Sequence, residues 1–299
     1  MWRWLTGRGA AERAVADQAE RLTPAVWQAA LAQHDFLAGL APADLEALRL
    51  RTAWLLASKR FSAAQGLVLT DDILLAIAVQ AALPILALSP QVYEGWHEII
   101  VYPGGFLIPR QEHDDAGVVH EYVQEAAGEA WDGGPVILSW HDVRQTQGDM
   151  NVVIHEFAHK IDLNHGAADG IPDLSAHPQL SPRQWHRVLT RSYQQFCAQL
   201  DAIERAIPRH IDPEGPAADP WYAQLPLDPY AATDEAEFFA VSSEAFFVAP
   251  DPLARQLPEW YALLAAYYRQ DPWRRWQAQW AMADSATRLA SSGGTTPGN

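Results

Sequence analysis

The chain has 299 residues, of which 49% are apolar, so it can fold around a sizeable hydrophobic core. Its 37 Asp and Glu residues outnumber its 21 Lys and Arg residues, which gives a formal net charge of −16 at pH 7. This balance argues against a nucleic-acid-binding protein and against a protein that binds anionic lipid surfaces, because both need a basic face to meet phosphates.

Cysteine usage and the N-terminus predict a cytoplasmic protein. Cys197 is the one cysteine, so no intrachain disulfide can form, and its apolar helical setting predicts a buried thiol. Residues 1–8 carry arginines but are followed by no apolar run, unlike a secretory signal. The most apolar stretch, 73–88, is interrupted by Gln80 and Pro84 and is shorter than the ~20 residues that span a bilayer. It is therefore predicted to be a core helix and the segment that follows it.

The first third of the chain is predicted to be helical. Residues 1–22 are polar and are expected to form a partly ordered lead-in. Three helices are expected after it, over 24–40, 42–61 and 71–84, each opening with a residue that can cap or begin a helix.

Strand patterns follow these helices. Segments 97–103 and 106–109 flank a Pro-Gly-Gly turn and predict a β-hairpin. Segments 118–124 and 136–140 are two further strand candidates. The second of these is either an ordinary core strand or a sheet edge that binds an extended peptide.

A short motif in mid-chain gives the strongest chemical signal. The sequence HEFAH places His155 and His159 four residues apart, with Glu156 directly after the first. On an α-helix, positions i and i+4 lie on one face, so both imidazoles can reach one metal ion. Glu156 lies about 100° further round, where its carboxylate can contact a water on the metal without being a ligand. Two ligands and a general base from one turn are typical of zinc hydrolases.

The surrounding residues favour a helix at this motif. Ile154 and Phe157 begin an apolar face that can anchor the helix in a core. Asp149 or Asn151 can cap its start, and Asn-His-Gly at 164–166 can end it. The alternative is that two of the 11 histidines share this spacing by chance. A third ligand would argue against chance.

The rest of the chain is predicted to be mainly helical. Helices are expected over 182–206, from a cap at Thr233 or Asp234 to 247, and over 260–268 with a further segment to 282. Residues 207–229 hold six prolines and are predicted to be a surface excursion, and residues 284–299 are predicted to be disordered. The fold class is therefore α+β. A single domain is expected over 1–283, with a helical part over 1–90 and a metal-binding core over 91–283.

A catalytic zinc ion takes three protein ligands and leaves one position for water, so the motif needs a partner. Asp162 follows His159 by three residues on the same helix, which suits a carboxylate that orients an imidazole. His165 lies beyond the predicted helix end, and the glycine and distal histidine of longer motifs are absent. The remaining candidates are carboxylates of a later helix, namely Glu235, Glu237 and Glu244.

Spacing favours Glu237 over Glu244 without deciding between them. Glu237 shares a helix face with Glu244, and phenylalanines typical of a core occupy the other sides. The structural alternative for Glu237 is a capping box with Asp234, in which the glutamate only satisfies its own helix end. The alternative for Glu244 is a solvated helix face.

Several segments, in order along the chain, resemble the Mlc titration factor A family of cytosolic zinc metallopeptidases. The resemblance covers residues 80–280. The segments are VYEGWH at 92–97, IVYP at 100–103, GPVILSW at 134–140, NVVIHEFAHKID at 151–162, YAATDEAEFFAVSSEAFF at 230–247 and YYRQDP at 267–272.

The resemblance implies a zincin-like fold with a small mixed sheet, one Zn²⁺ per chain and a ligand set. The family's two histidines and downstream glutamate match His155, His159 and Glu237. The family is similar to the protease domain of lethal-factor-type toxins, in which a tyrosine seven residues before the ligand glutamate stabilises the oxyanion. Here that position is Tyr230. Family members have aminopeptidase activity on short substrates and bind the glucose-regulating repressor Mlc.

The resulting hypothesis is a zinc-dependent, aminopeptidase-like peptidase. Glu156 would act as the general base, Tyr230 would stabilise the oxyanion, and Asp162 or Glu244 would orient a ligand histidine. The main alternative is a regulatory binding protein that titrates an Mlc-type repressor with little or no peptidase activity. A third alternative is a protein whose motif is accidental and holds no metal. A peptide and such a repressor are the expected partners, with no direct nucleic-acid or membrane partner.

Overall fold

The computed structural model describes residues 2–113, 119–145 and 150–281. Helices dominate these residues and surround a small mixed sheet, which confirms the predicted α+β, mostly helical class. The N-terminal helices are α1 (Trp2–Arg21), α2 (Pro24–Leu31), α3 (Pro42–Ser58) and α4 (Asp71–Ala82).

The start of the chain differs from the prediction. Residues expected to be a partly ordered lead-in form α1, which packs along α3 and accepts a hydrogen bond at the carbonyl of Ala19 from Arg49, at 2.8 Å. α2 ends at Leu31, so the helix predicted over 24–40 was too long. A short 3-10 turn and Gly39, with a φ of +72°, follow instead. A left-handed residue cannot continue a right-handed helix, and glycine adopts that conformation at low cost.

Helix α4 confirms the interpretation of the most apolar stretch. The side chain of Thr70 caps it by accepting a hydrogen bond from the backbone N–H of Ile73 at 3.4 Å. Asp71 and Asp72 lie in its first turn, where the helix dipole favours negative charge. Gln80 is buried in the second half of this helix although it is polar, and its partners belong to the functional site described below.

Six strands make up the β-structure of the described residues. They are β1 (Arg60–Ala63), β2 (Glu98–Tyr102), β3 (Phe106–His113), β4 (Val119–Ala126), β5 (Gly128–Ala130) and β6 (Val136–Ser139). One sheet has the order β1-β2-β6-β5, in which the first three strands are parallel and β5 is antiparallel to β6. In the described part of the chain, β5 is an edge strand. β6 is central and buried at every position, which explains its continuous apolar run.

The predicted hairpin across the Pro-Gly-Gly turn was wrong. β2 pairs with β1 and β6 in parallel, and β3 pairs antiparallel with β4. The turn residues indicated a local pairing, whereas two distant parallel partners satisfy both edges of β2. The strands predicted over 118–124 and 136–140 correspond to β4, which is described from Val119, and to β6, which ends at Ser139.

Two strands were not predicted as such. β1 was assigned to the end of a helix over 42–61, but α3 ends at Ser58 and the chain continues as a strand beside β2. β5 has three residues, Gly128–Ala130, and these carry no alternating apolar pattern. Its pairing with β6 is what makes it a strand.

The C-terminal half is helical, as predicted. Its helices are α5 (Trp140–Arg144), α6 (Val152–Leu163), α7 (Pro182–Ala206), α8 (Asp219–Tyr222), α9 (Glu235–Val248), α10 (Pro250–Gln256), α11 (Pro258–Tyr268) and α12 (272–281 within the described residues). The helices predicted at 182–206, at 234–247 and at 260–268 are confirmed as α7, α9 and α11, whereas α10 was not predicted.

An aromatic core fixes the orientation of α9. Phe238 and Phe239 are fully buried, and Trp185 of α7 and Trp260 of α11 pack against them. The ring centroids lie 6.3 Å apart for Trp185 and Phe239, and 5.7 Å apart for Phe238 and Trp260. Because these bulky rings interlock, α9 has one rotational setting, and its face at position 237 is directed away from this core.

Four remaining predictions concern the proline-rich segment, the cysteine, membrane-spanning helices and the C-terminal segment. Residues 207–229 include 3-10 turns and α8, and buried Leu225 and Leu227 anchor the segment to the core. Cys197 is only partly buried, so the predicted buried thiol was wrong; Phe196 beside it occupies the buried stripe of α7. None of the described helices is long and apolar enough to span a membrane. The segment predicted to be disordered, 284–299, lies outside the described residues.

Candidate metal centre

Helix α6 presents the HExxH motif with its apolar side in the core. Asn151 caps the helix, because its Oδ1 accepts a hydrogen bond from the backbone N–H of Ile154 at 2.9 Å. Ile154 and Phe157 are fully buried. His155 and His159 consequently project from the opposite, partly open face, as the sequence predicts.

The two histidines and Glu237 converge on one point. The Nε2 atoms of His155 and His159 lie 3.1 Å apart. The Oε2 atom of Glu237 lies 3.1 Å from Nε2 of His155 and 3.2 Å from Nε2 of His159. Within the residues that the structure describes, this is the one group of three His, Cys, Asp or Glu side chains that could hold a metal ion.

The spacing of these atoms fits a metal ion. Three tetrahedral ligands about 2.0–2.1 Å from zinc lie about 3.3 Å from one another, which is close to the distances between the three donor atoms. Burial alone would raise the pKa of Glu237, but hydrogen bonds to His155 and His159 and their charge hold this pKa well below its usual range. The carboxylate of Glu237 is therefore ionised, as a metal ligand must be.

Helix α9 also explains why Glu237 is not merely a capping residue. Asp234 Oδ1 accepts a hydrogen bond from the backbone N–H of Glu237 at 2.8 Å, which is one half of a capping box. The Glu237 carboxylate does not complete the box, because it contacts the two histidines instead. Capping therefore orients the residue, and its side chain remains available to a metal ion.

Glu244, about two turns later on α9, lies behind His155. Its Oε1 is 2.6 Å from Nδ1 of His155, and its Oε2 accepts a hydrogen bond from the backbone N–H of Asn151 at 2.5 Å. Asn151 in turn donates from its side chain to Gln80 at 2.7 Å, and Gln80 donates to the carbonyl of Ala76 at 2.9 Å. This network joins α4, α6 and α9. It holds His155 as the tautomer with Nδ1 protonated, which leaves Nε2 free to bind a metal.

The electrostatics of the centre favour a bound cation. Burial disfavours the charged form of His155, but the nearby carboxylates of Glu244, Glu237 and Glu156 raise the pKa of His155 well above its ordinary value. The carboxylates therefore concentrate negative charge around the ligand nitrogens. A divalent ion at the shared point would compensate it.

Glu156 lies beside the three donor atoms without belonging to them. It is 4% exposed, and burial raises its pKa to about 7, against the lowering influence of His155 and His159. Its Oε2 is buried and has no hydrogen-bond partner among the described residues. A buried carboxylate oxygen of this kind needs a partner, and a proton donor in the centre would supply one.

Edge strand β5 touches this carboxylate. A Cβ atom built at Gly128 would lie 2.4 Å from Oε1 of Glu156 and 2.6 Å from its Cγ. The strand can approach α6 this closely only because position 128 has no side chain.

Tyr230 lies on the open side of the centre. It belongs to a 3-10 turn, Pro229–Ala232, whose start is capped by Asp228. Its hydroxyl donates to Oε1 of Glu237 at 3.4 Å, and its ring centroid is 6.1 Å from that of His155. The residue is 43% exposed, so its side chain lies at the surface beside the three donor atoms.

Among the described residues, Asp162 forms no hydrogen bond to a histidine, in contrast to the expectation that it could orient one. Its Oδ2 accepts a hydrogen bond from the backbone N–H of Gly170 at 2.7 Å, and its Oδ1 has no partner in the described part of the protein. Burial raises its pKa to about 6. Asp162 therefore fastens the loop after α6. His165 and Glu235 also lie outside the group of donors.

Comparison with known proteins agrees with this geometry. Residues 8–269 match the family described as glucose-regulated metallo-peptidase M90. The chain belongs to this family. The match includes both histidines of α6, Glu237 and most of the first forty residues, and it confirms the resemblance drawn from the sequence segments.

Relatives of the M90 chain share most of its length. It is 34% identical over 279 residues to the Mlc titration factor A of Serratia proteamaculans, which covers 92% of this chain and 95% of that protein. It is 35% identical over 257 residues to the Mlc titration factor A of Pectobacterium atrosepticum, covering 84% and 89%. It is also 35% identical over 252 residues to that of Klebsiella pneumoniae, covering 83% and 87%.

Three residues of the M90 centre were not recognised as part of it from sequence. Asn151 was seen as a cap but not as a link between α6 and Glu244, and Gly128 lay in a strand that was not predicted. Gln80 did carry a signal, because a glutamine inside an otherwise apolar helix needs a hydrogen-bond partner. The sequence did not indicate that this partner is the side chain of Asn151.

Proposed function

We propose that the protein is a zinc-dependent peptidase. The observation that carries the proposal is the convergence of His155, His159 and Glu237 on one point beside the buried carboxylate of Glu156. Two imidazole nitrogens and one carboxylate oxygen, with an open side, are a common donor set of catalytic zinc. When bound, zinc would polarise a water molecule and the substrate carbonyl.

The chain's own residues supply the proton transfers. Glu156 has a pKa of about 7, so it can accept a proton from the attacking water and return it to the leaving amine. Tyr230 can donate its hydroxyl proton in a hydrogen bond to the oxygen of the tetrahedral species, because its hydroxyl lies next to Glu237. Glu244 keeps His155 oriented throughout.

The edge strand supports a peptide as the substrate. The carbonyl of Ala127 accepts a hydrogen bond from Ser139 at 2.8 Å, and the N–H of Trp131 donates to Pro135 at 3.2 Å, so both backbones face β6. Alternation along a strand then turns the N–H and C=O groups of Gly128 and Ala130 outward. An extended peptide can pair with them and lie along the metal centre.

Metal analysis and peptide turnover, measured on the same samples, test the proposal. The wild type should contain one zinc ion per chain and hydrolyse peptides. Glu156→Gln should keep its zinc and lose turnover, and Glu237→Ala should lose both. Turnover retained by Glu156→Gln would exclude this mechanism, and wild-type protein without bound metal would exclude the site.

The aminopeptidase-like preference within this proposal rests on the family resemblance. A free N-terminal amine would be required by an aminopeptidase and not by an endopeptidase. Hydrolysis of a short peptide should therefore stop when its N-terminus is acetylated. Equal rates on both peptides would favour endo-cleavage.

A second candidate function is titration of a transcriptional repressor in the cytoplasm. The relatives are named Mlc titration factor A, and the net charge of −16 suits a partner with a basic, DNA-binding surface. A pull-down with an Mlc-type repressor should then succeed with the wild type and with Glu156→Gln alike. Failure of both proteins to retain the repressor would exclude this function.

A further inference from the structure

A buried lysine follows the second metal-binding histidine. Lys160 is 3% exposed although it carries an ammonium group. Its Nζ donates hydrogen bonds to the backbone carbonyl of Trp131 and, at 2.8 Å, to that of Gly134. The same nitrogen lies 5.0 Å from the ring centroid of Trp96, which provides a cation–π contact.

The two carbonyls belong to the turn that joins edge strand β5 to central strand β6. The turn is closed by hydrogen bonds from Gly134 to the carbonyl of Trp131 at 3.1 Å and from Trp131 to the carbonyl of Pro135 at 3.2 Å. Lys160 therefore ties one end of β5 to α6. The other end of β5 meets α6 where Gly128 contacts Glu156. The strand is thus held against the metal helix at both ends.

Packing alone does not explain this lysine. Burying an ammonium group is unfavourable unless hydrogen bonds compensate, and a methionine would fill similar space without that penalty. A nearby residue provides a comparison. Lys59 is 8% exposed, lies 3.8 Å from the centroid of the same Trp96 ring, and donates to the carbonyls of Tyr93 and Trp96. Those carbonyls precede β2 and are not part of β5.

We propose that Lys160 is a positioning residue that sets the place of edge strand β5 relative to α6. A peptide paired with Gly128 and Ala130 then lies with its scissile bond in reach of Glu156 and the metal ligands. This inference rests on the proposed peptidase function and adds a residue that acts on substrate placement rather than on the chemistry. It predicts that loss of Lys160 raises KM more for longer peptides, because these pair with more of the strand.

Lys160→Met and its matched control Lys59→Met test this role. Both changes remove one buried ammonium group above the same ring. For an extended peptide, Lys160→Met should raise KM about tenfold, roughly the effect of one lost hydrogen bond, with little change in kcat. A single-residue amide, which cannot pair along β5, should keep its wild-type KM. Lys59→Met should leave KM unchanged for both substrates. Zinc content should equal that of the wild type in both variants.

Hydrogen exchange gives a readout that needs no activity. The backbone amides of Trp131 and Gly134 are hydrogen-bonded within the turn, and they should exchange faster in Lys160→Met than in the wild type or in Lys59→Met. If Lys160→Met fails to fold, Lys160→Arg takes its place, because it keeps the charge and changes the position of the donors; it should show the same pattern with a smaller rise in KM.

Two results overturn the inference. One is an equal KM for the extended peptide in a folded Lys160 variant and in Lys59→Met. The other is unchanged exchange at Trp131 and Gly134. A wild type that binds zinc but hydrolyses no peptide is a different outcome: it refutes the proposed function, while the exchange experiment still decides whether Lys160 positions β5.

Discussion

Replacement of Gly128 by alanine tests whether the edge strand and Glu156, the proposed general base, depend on each other. The added Cβ atom would lie 2.4 Å from Oε1, 2.6 Å from Cγ and 2.8 Å from Cδ of Glu156. The φ of Gly128 is not in the left-handed region, so alanine is compatible with the backbone. Any effect of the substitution must therefore come from contact with the glutamate.

The clash cannot be relieved cheaply. Glu156 is 4% exposed and has little space to move into, so its carboxylate and strand β5 must both shift. Overpacking of this kind costs about 1–3 kcal/mol of stability. A displacement of about 1 Å at a reacting group costs on the order of 10²-fold in rate, and we expect kcat/KM to fall by that factor. The substitution does not touch the proposed metal ligands, so zinc content should not change.

The assay is steady-state hydrolysis of a short peptide together with zinc analysis and a thermal unfolding curve. Gly104→Ala is the matched control, because Gly104 has nothing within 4 Å of a built Cβ and lies outside the centre. It should behave like the wild type. A Gly128→Ala protein with wild-type zinc content and a kcat/KM within about threefold of the wild type, a difference of under about 1 kcal/mol, would refute the reasoning.

Three further substitutions are expected to separate metal binding, chemistry and stability. Glu244→Gln should weaken zinc binding about 10–100-fold, because it removes the carboxylate behind His155. Equilibrium dialysis measures the zinc affinity, and Glu235→Gln is the control. Equal zinc affinities of Glu244→Gln and Glu235→Gln would argue against an orienting role for Glu244. Tyr230→Phe should keep its zinc and lose on the order of 10²-fold in kcat, as loss of an oxyanion donor does, and an unchanged kcat would exclude that role. Asp162→Asn should gain stability relative to the wild type as pH rises from 3.8 to about 6, since burial raises the pKa of Asp162 over that interval and its ionised form then destabilises the fold. Denaturant unfolding at pH values across this range measures the difference, and a difference that does not vary with pH would contradict the shift.

The local sequence was sufficient to predict the relative positions of residues that lie on one helix. The motif residues His155, Glu156 and His159 lie within two turns, so helical geometry alone fixes their relative places. The cap at Asn151 and the bounds of α7 and α9 followed for the same reason, because caps and apolar periodicity are local signals. The negative net charge, which argues against a nucleic-acid-binding surface, also follows from the composition alone.

Pairing between distant segments was predicted less well. The hairpin expected across 103–105 was wrong because turn residues report only local preference, whereas β2 gains two parallel partners from far along the chain. Strand β5 was not predicted, because a segment of three residues is too short to show an alternating apolar pattern. Its position beside Glu156 is nevertheless the basis of the proposed substrate site.

The sequence by itself determined two imidazoles and a carboxylate on one helix, together with a short set of candidates for the remaining ligand. The family resemblance implied Glu237 as that ligand, and the tertiary structure shows the distinct contacts of Glu237 and Glu244, which lie 78 residues from His159 and 89 residues from His155 respectively. Spacing along α9 places both glutamates on one face, but it does not say how far each lies from α6. That depends on the aromatic core, whose interlocking rings set the rotation and the depth of α9, so that one carboxylate meets the Nε2 atoms and the other meets Nδ1 from behind.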